Sequence, residues 1–325
     1  MQAFSYQLFH ATIRSATPII LAVLATIISK QANIFNMAIE GIMLFAALIA
    51  IAVSAATGSW VVAVLAAIIT GVLISAVIGT AHLKYKANIL VLGFATNALA
   101  LGGTRFIMQR LYGIVGSYAP MEAAPLPRFY FSFLSDNPVL ESMFSGYTLL
   151  EILSFVFIFT LWFVLYKTKT GLRLRSVGLN ETAAETAGIN VQRTKFFAIL
   201  MSGVFGGIAG AHLSLGYTRM FVEGMSSGRG FMAIAAMNFG GGNPVIAMIA
   251  SLLFGFSETL GLRLQSSGLP GQFMLMIPYI VTIIVLTISM MRQAAVVKQE
   301  KISELVKQKK DLIHQMTYPP KTDPE

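Results

Sequence analysis

The sequence contains no cysteine among its 325 residues, which excludes disulfides, thiolate metal sites and thiol nucleophiles and leaves the redox compartment open. Charge is also scarce. Asp, Glu, Lys and Arg make up 11% of the chain, against about 25% in an ordinary soluble domain. No glycine is followed by lysine, so the phosphate-cradling loop G-x-x-x-x-G-K-S/T is missing and this chain does not bind ATP in that way. The four histidines, His10, His82, His212 and His314, do not stand at metal-ligand spacing to one another, and the carboxylates do not cluster. A membrane enzyme would have no nucleophile, base or metal set to use. The first residues, "MQAFSYQLFHATIR", lack the short basic start and small-residue cleavage site of a secretory signal, so insertion is expected to use the spans themselves.

What is abundant is apolar: 56% of residues are hydrophobic and mean hydropathy is +0.73. Apolar runs of roughly 20 residues recur, each long enough to cross a bilayer core of about 30 Å as a helix. They fall at 15–29, 33–54, 59–80, 87–106, 147–166, 196–216, 229–241, 245–262 and 272–291. The expected fold is an all-α polytopic membrane protein with about 8–10 transmembrane helices. The net charge of +9 comes from basic residues beside these runs, so it is assigned to orientation signals and not to nucleic acid. Lys30, Lys84 and Lys86, then Lys167, Lys169, Arg173, Arg175, Arg193 and Lys195, then Arg292, Lys298 and Lys301 all fall on the cytoplasmic side if the N-terminus lies outside. This layout gives a membrane domain over 1–291, with an external loop at 107–146 and a cytoplasmic loop at 167–195, and a cytoplasmic tail over 292–325.

Gly230 to Leu262 is too long for one straight crossing and short for two. "NFGGGNP", Asn238 to Pro244, breaks it, because three glycines and a proline do not continue a helix cheaply. Two arrangements stand: a broken or re-entrant segment near 238–244, whose freed backbone groups protein or a water-filled cavity must cover, or two short spans joined by a tight turn. The external loop carries Pro120, Pro125, Pro127 and Pro138 with Tyr112, Tyr118, Phe129, Tyr130 and Phe131, either an interfacial aromatic belt or a landing place for an external protein. In the tail, Ile302, Leu305, Val306, Leu312 and Ile313 share one stripe among lysines, the pattern of an amphipathic helix on lipid or on a partner, or else of a solvated tail.

Within the sixth run, Gly203 with Gly207 and Gly206 with Gly210 are spaced four apart, which lets helix backbones pack closely. Glu40, with Asn33 and Asn36, sits in the first turns of the second run. Ionisable groups inside a span usually face the bundle interior. Glu40 therefore either braces neighbouring helices near the cytoplasmic end or belongs to the translocation path, with Asn97 and Asn238 weaker candidates of the same sort. Glu258, near the outer end of the eighth run, is expected to reach the headgroups. In "GLNETAAETAGINVQRTK", Thr182 and Glu185 are spaced as a capping box, Ala183, Ala184, Ala187 and Val191 share a face, and Gly188 ends the helix. A two-turn cytoplasmic helix with an alanine face suits docking into another protein's groove, though such helices also pack beneath their own bundle.

Taken together, "TGLRLRSVGLNETAAETAGINVQRTKFFAILMSGVFGGIAGAHLSLG", "GRGFMAIAAMNFGGGNP" and "ATPIILAVLATIISKQANIFNMAIEGIMLFAAL" resemble the permease subunits of bacterial ATP-binding-cassette importers in the branched-chain amino acid and simple-sugar group. The last block points to the nucleoside permeases, whose members read N-I-G-x-E-G-x-M-L there. The likeness covers most of residues 12 to 290 and leaves out the tail. Asn36, Glu40 and Gly41 match the Asn, Glu and Gly of that motif, with Ala38 in place of its usual glycine; Gly228, Arg229, Gly230 and Phe231 match its G-R-G-F block, which sets Arg229 near the external face.

The resemblance implies a multi-pass subunit of the bacterial cytoplasmic membrane that pairs with a second, homologous permease. Cytoplasmic ATPases, which hold the ATP and Mg, would lie below, and an external substrate-binding protein or lipoprotein above. No cofactor belongs to this chain itself. Coupling to the ATPase would fall to Glu181, Thr182, Ala183, Ala184, Glu185, Ala187 and Gly188. The substrate path of a nucleoside carrier is expected to use Asn36, Glu40, Asn97 and Asn238 for ribose and base, with Phe94 and Phe239 stacking on the base. The alternatives are a permease for simple sugars or branched-chain amino acids, and a self-sufficient carrier driven by an ion gradient, which needs an internal ion site and usually two inverted halves.

Overall fold

The computed structural model of the chain describes residues 2–130 and 145–264, together with residues 276, 280, 281, 283, 284, 287 and 291. Two compact units divide it, residues 1–282 and 283–325. Of the second, residues 283, 284, 287 and 291 are described, and all four are helical. The tail over 292–325 and most of the run at 272–291 lie outside the described residues.

The first unit is a helical bundle. Its elements are α1 (Gln2–Gln31), α2 (Ile39–Thr57), α3 (Trp60–Leu83), α4 (Ile89–Tyr112), α5 (Leu149–Lys167), α6 (Lys169–Leu179), α7 (Glu181–Thr186), α8 (Val191–Ala211), α9 (Arg229–Phe239) and α10 (Pro244–Leu264). Among the described residues seven helices are long and apolar enough to cross a membrane: α1, α2, α3, α4, α5, α8 and α10. The expected all-α polytopic fold is what the chain adopts.

α1 lies at the centre. Ile19, Ile20, Leu21, Val23, Leu24 and Ile27 are all fully buried, as an all-round apolar helix must be when other helices surround it. α8 reaches α2 and α3 through its two glycine pairs. A methyl group on Gly207 would lie 2.5 Å from the Ala67 carbonyl oxygen of α3, and one on Gly203 would lie 2.4 Å from that of Gly71. The other pair faces α2, where a methyl on Gly210 would lie 2.3 Å from the Met43 carbonyl oxygen. Backbones this close leave no room for side chains, which is the packing that four-residue spacing of small residues predicts.

Alternation of the helices gathers the basic residues read as cytoplasmic markers at one end. Gly178 of α6 backs onto the Gln31 carbonyl at the end of α1, and Gly79, near the end of α3, backs onto Phe196 at the start of α8. Lys30, Lys84, Lys86, Lys167, Arg193 and Lys195 flank these helix ends. At the opposite end lie two short antiparallel pairings: β1 (Ser117–Tyr118) with β4 (Phe221–Val222), and β2 (Arg128–Phe129) with β3 (Tyr147–Thr148). The stretch after α4 folds back onto the bundle, where Ser54 Oγ donates to the Ala124 carbonyl (2.9 Å) and Leu126 N to the Leu215 carbonyl (3.3 Å). Tyr112 and Tyr118 stack at 4.3 Å. Pro138 and Phe131 lie outside the described residues.

The expected run at 33–54 is corrected at its start. The helix begins only at Ile39, and the preceding residues carry no helix although Ala32, Ile34, Asn36 and Ala38 are buried. Hydropathy registers burial and does not separate a helix from an extended chain inside protein.

Candidate functional site

The non-helical stretch between α1 and α2 creates a problem that nearby side chains solve. α1 ends where Asn33 turns to φ +57°, a left-handed conformation that asparagine tolerates better than most residues. The chain then runs back into the bundle, and the open N-terminus of α2 leaves main-chain N–H groups away from water. Asn36 Oδ1 accepts from Ala38 N (3.0 Å) while its Nδ2 donates to Ser202 Oγ of α8 (2.9 Å). Asn97 of α4 accepts from Gly41 N (2.8 Å) and donates to the Met37 carbonyl (3.0 Å). Both asparagines are spent on backbone groups and a serine.

Glu40 does the same for α9. Its Oε1 accepts from Gly228 N and its Oε2 from Gly230 N, each at 2.7 Å, so one carboxylate holds the first N–H groups of that helix. A negative charge there also meets the positive end of the helix dipole. Gly228 sits at φ +79°, and a methyl on Gly230 would lie 2.7 Å from Glu40 N, so this contact requires glycine at both places.

With 11 residues α9 is about 16 Å long, half a crossing. Its other end turns through Gly241 and Gly242, both at positive φ, and the Gly242 carbonyl accepts from Gln31 Nε2 (3.1 Å) at the basic end. The segment 230–262 is therefore a half-helix entering from inside the bundle, followed by a full span. Glu40 lies at the inner tip of that half-helix, not at the cytoplasmic end.

A second polar cluster flanks α9, and sequence reasoning missed it. Arg229 is buried, its Nη2 donates to Glu258 Oε1 of α10, and its Nη1 donates to the Met225 carbonyl (2.8 Å). Tyr217 lies between two guanidiniums, with Arg229 5.1 Å and Arg14 5.7 Å from its ring centroid. Ser15 Oγ links Tyr217 Oη (3.3 Å) to Thr259 Oγ1 (3.2 Å). Arg229 is thus buried within the bundle, toward the end that carries the β1–β4 pairing and opposite the basic one. Glu258 does not reach for headgroups, because an unpaired Arg229 at this depth would cost several kcal/mol by the general price of buried charge. The sequence signal was a carboxylate inside a run that also needed to neutralise an arginine.

A third pair, also missed, joins Glu151 at the start of α5 to His212 at the end of α8 (3.3 Å), both fully buried. Glu151 also accepts from Thr148 N (2.7 Å), so the Thr148-x-x-Glu151 spacing of a capping box was the available clue.

Not every proposed path residue joins the Glu40 brace. Phe94 is 54% exposed on the outer face of α4. Asn238 and Phe239 are half-buried at the basic end of α9, about 13 Å along the helix from Arg229. The structure brings Asn36, Glu40 and Asn97 together around the start of α2 and leaves the other three apart.

α7 is exposed except at one position. Its N-cap is Asn180, whose Oδ1 accepts from Ala183 N (3.0 Å); the helix starts one residue before Thr182, which corrects the expected capping box. Ala184 packs with Val177 and Val191, whereas Ala183 and Ala187 are exposed, so the four residues read as one face divide between two. Geometry explains the split: in a helix, residues one apart point about 100° from each other. Lys195 Nζ ties Glu181 back to α8 at 2.6 Å. Gly188, at φ +79°, ends the element as expected.

Comparison with known proteins follows this geometry. The family described as "Branched-chain amino acid transport system / permease component" matches residues 8–286. The chain is 36% identical over 291 residues to the guanosine ABC transporter permease protein NupQ of Bacillus subtilis, covering 85% of this chain and 90% of that protein. It is 34% identical over 287 residues to the nucleoside ABC transporter permease protein NupC of Lactococcus lactis subsp. cremoris, covering 84% and 89%. A putative glucose ABC transporter permease protein of Haloferax volcanii is 30% identical over 319 residues, covering 90% and 94%. The same Bacillus and Lactococcus strains each have a second similar permease protein, NupP and NupB. No solved structure matches the chain.

Proposed function

We propose a function that proceeds from one fact: the chain belongs to the family of branched-chain amino acid transport system permease components. It is a multi-pass translocation subunit of an ABC transporter in the cell membrane. Its substrate is a nucleoside. The observation that carries this is 36% identity, across 85% of the chain, to a permease named for guanosine, with a second nucleoside permease close behind.

The partners are a second homologous permease, cytoplasmic ATPases and an external substrate-binding protein or lipoprotein. Two similar permeases in each of two organisms support the pairing. The ATPase docks on the exposed side of α7, at Glu181, Thr182, Ala183, Glu185 and Ala187, with Ala184 as the root that fixes α7 to the bundle and Gly188 as its stop. Force on α7 has a short route inward. α7 packs on α6 through Val177, Gly178 of α6 backs onto Gln31, and Gln31 holds Gly242 at the end of α9. At the other end of α9, Glu40 holds its tip. Moving the basic end would thus displace α9 and the 32–38 stretch together. A transition of this kind requires the ATPase to bind one arrangement more tightly than the other. Asn36, Glu40 and Asn97 shape the path by fixing its walls, while Asn238, Phe239 and Phe94 carry no direct support as ligands.

The test is uptake of radiolabelled guanosine by cells carrying the complete transporter, with unlabelled nucleosides, glucose and leucine as competitors. Nucleosides alone should compete. Competition by glucose would favour the sugar permease reading, which the 30% identity to a putative glucose permease supports. Uptake by this chain alone in liposomes under a sodium or proton gradient would overturn both.

A further inference from the structure

Between α5 and α8, at the basic half of the bundle, a cavity of about 610 Å³ opens sideways. That is the size of a ligand-holding cleft, about 300–1,000 Å³. Its walls are apolar: Phe157, Val164, Phe197, Met201 and Phe205 line it, with Phe157 and Phe205 meeting edge to face at 5.7 Å. Only one end is polar. There Arg173 of α6 and Arg193 of α8 form the rim, with Thr168, Thr170 and Thr194 beside them. Both arginines are exposed, and neither belongs to any of the four ion pairs found among the described residues.

We propose that this groove binds an anionic phospholipid of the cytoplasmic leaflet, its acyl chains against the α5–α8 wall and its phosphate between Arg173 and Arg193. The proposal rests on the reading of the basic end as cytoplasmic.

Three observations select this occupant. The groove opens on an outer side of the bundle, since Thr160 of α5 and Phe197 of α8, both in its lining, are exposed. Trp162 and Tyr166, in the last turns of α5 on the side away from the lining, are residue types that mark the membrane–water boundary at this end. α6 itself places Lys169 and Arg173 at that level, and its Leu172 is 58% exposed, the arrangement of a helix lying in the interface. Two guanidiniums at headgroup depth match a phosphate, for which arginine supplies paired donors, and basic pockets between helices on this side of a membrane suit anionic headgroups. Because α6 joins α5 to α7, a lipid seated here would brace the root of the coupling element.

The test uses the complete transporter, exchanged from vesicles of equal parts phosphatidylglycerol and phosphatidylcholine and examined by native mass spectrometry. Phosphatidylglycerol should be retained preferentially. The double variant Arg173→Gln and Arg193→Gln should lose that preference several-fold, while the Arg173→Lys and Arg193→Lys pair keeps most of it. Equal retention of the two lipids, or no change in the glutamine variant, overturns the proposal. So does cross-linking from Thr160→Cys to the second permease, which would make the groove a protein interface. Failure of the wider reading looks different: no ATPase would be recovered with the chain at all.

Discussion

Glu40, Asn36 and Asn97 stood out in the sequence because polar side chains inside apolar runs need a reason. Their partners did not stand out, since five of the six groups they bind are main-chain atoms and the sixth is a serine hydroxyl. Backbone N–H groups leave no mark in a sequence. Glu40→Gln turns one acceptor oxygen into an amide that faces an N–H, and loss of a hydrogen bond to a charged group costs about 1.5–3 kcal/mol. The thermal midpoint of the purified complex should fall and uptake with it. Were the midpoint unchanged while competition by substrate weakened, Glu40 would be a ligand and not a brace. Asn97→Ala should behave alike, because it strands both Gly41 N and the Met37 carbonyl. The Arg229–Glu258 pair was harder to see, being 29 positions apart in sequence and joined only when α9 and α10 fold side by side.

At the scale of elements, spans and the break after α9 were legible. Glycine and proline in "NFGGGNP" end a helix for local reasons that do not depend on the fold. The stretch at 32–38 was not legible as irregular, because it is as buried as a span and only Asn33 and Asn36 interrupt it. Close packing of α8 yields a paired prediction. Gly207→Ala puts a methyl 2.5 Å from a backbone oxygen of α3 and should cost about 1–3 kcal/mol in the thermal unfolding of the complex. Gly102→Ala on α4, where nothing lies within 4 Å, should be neutral or slightly stabilising. For α7, side matters more than composition. Ala184→Glu buries an unpaired charge among Val177 and Val191 and should lower the midpoint. Ala187→Glu is exposed and should leave the midpoint alone while reducing the ATPase that co-purifies. Equal effects of the two on ATPase recovery, with no difference in midpoint, would contradict the inward root assigned to Ala184.

For the whole molecule, the lysines and arginines beside the apolar runs point to one orientation, and the bundle gathers Lys30, Lys84, Lys86, Lys167, Arg193 and Lys195 at one end, where α6 and α7 also lie. By its family the chain is the permease part of a transporter. On the proposed reading α7 is its exposed handle, linked inward to a half-helix held at both ends, and a partner supplies the nucleotide-binding loop that its sequence lacks. The measurement that tests this most directly is thiol cross-linking from Ala187→Cys in native inside-out vesicles that still transport. The account predicts capture of the partner ATPase, with a yield that changes when ATP is added. No capture, together with uptake that persists after the ATPase gene is removed, would contradict it.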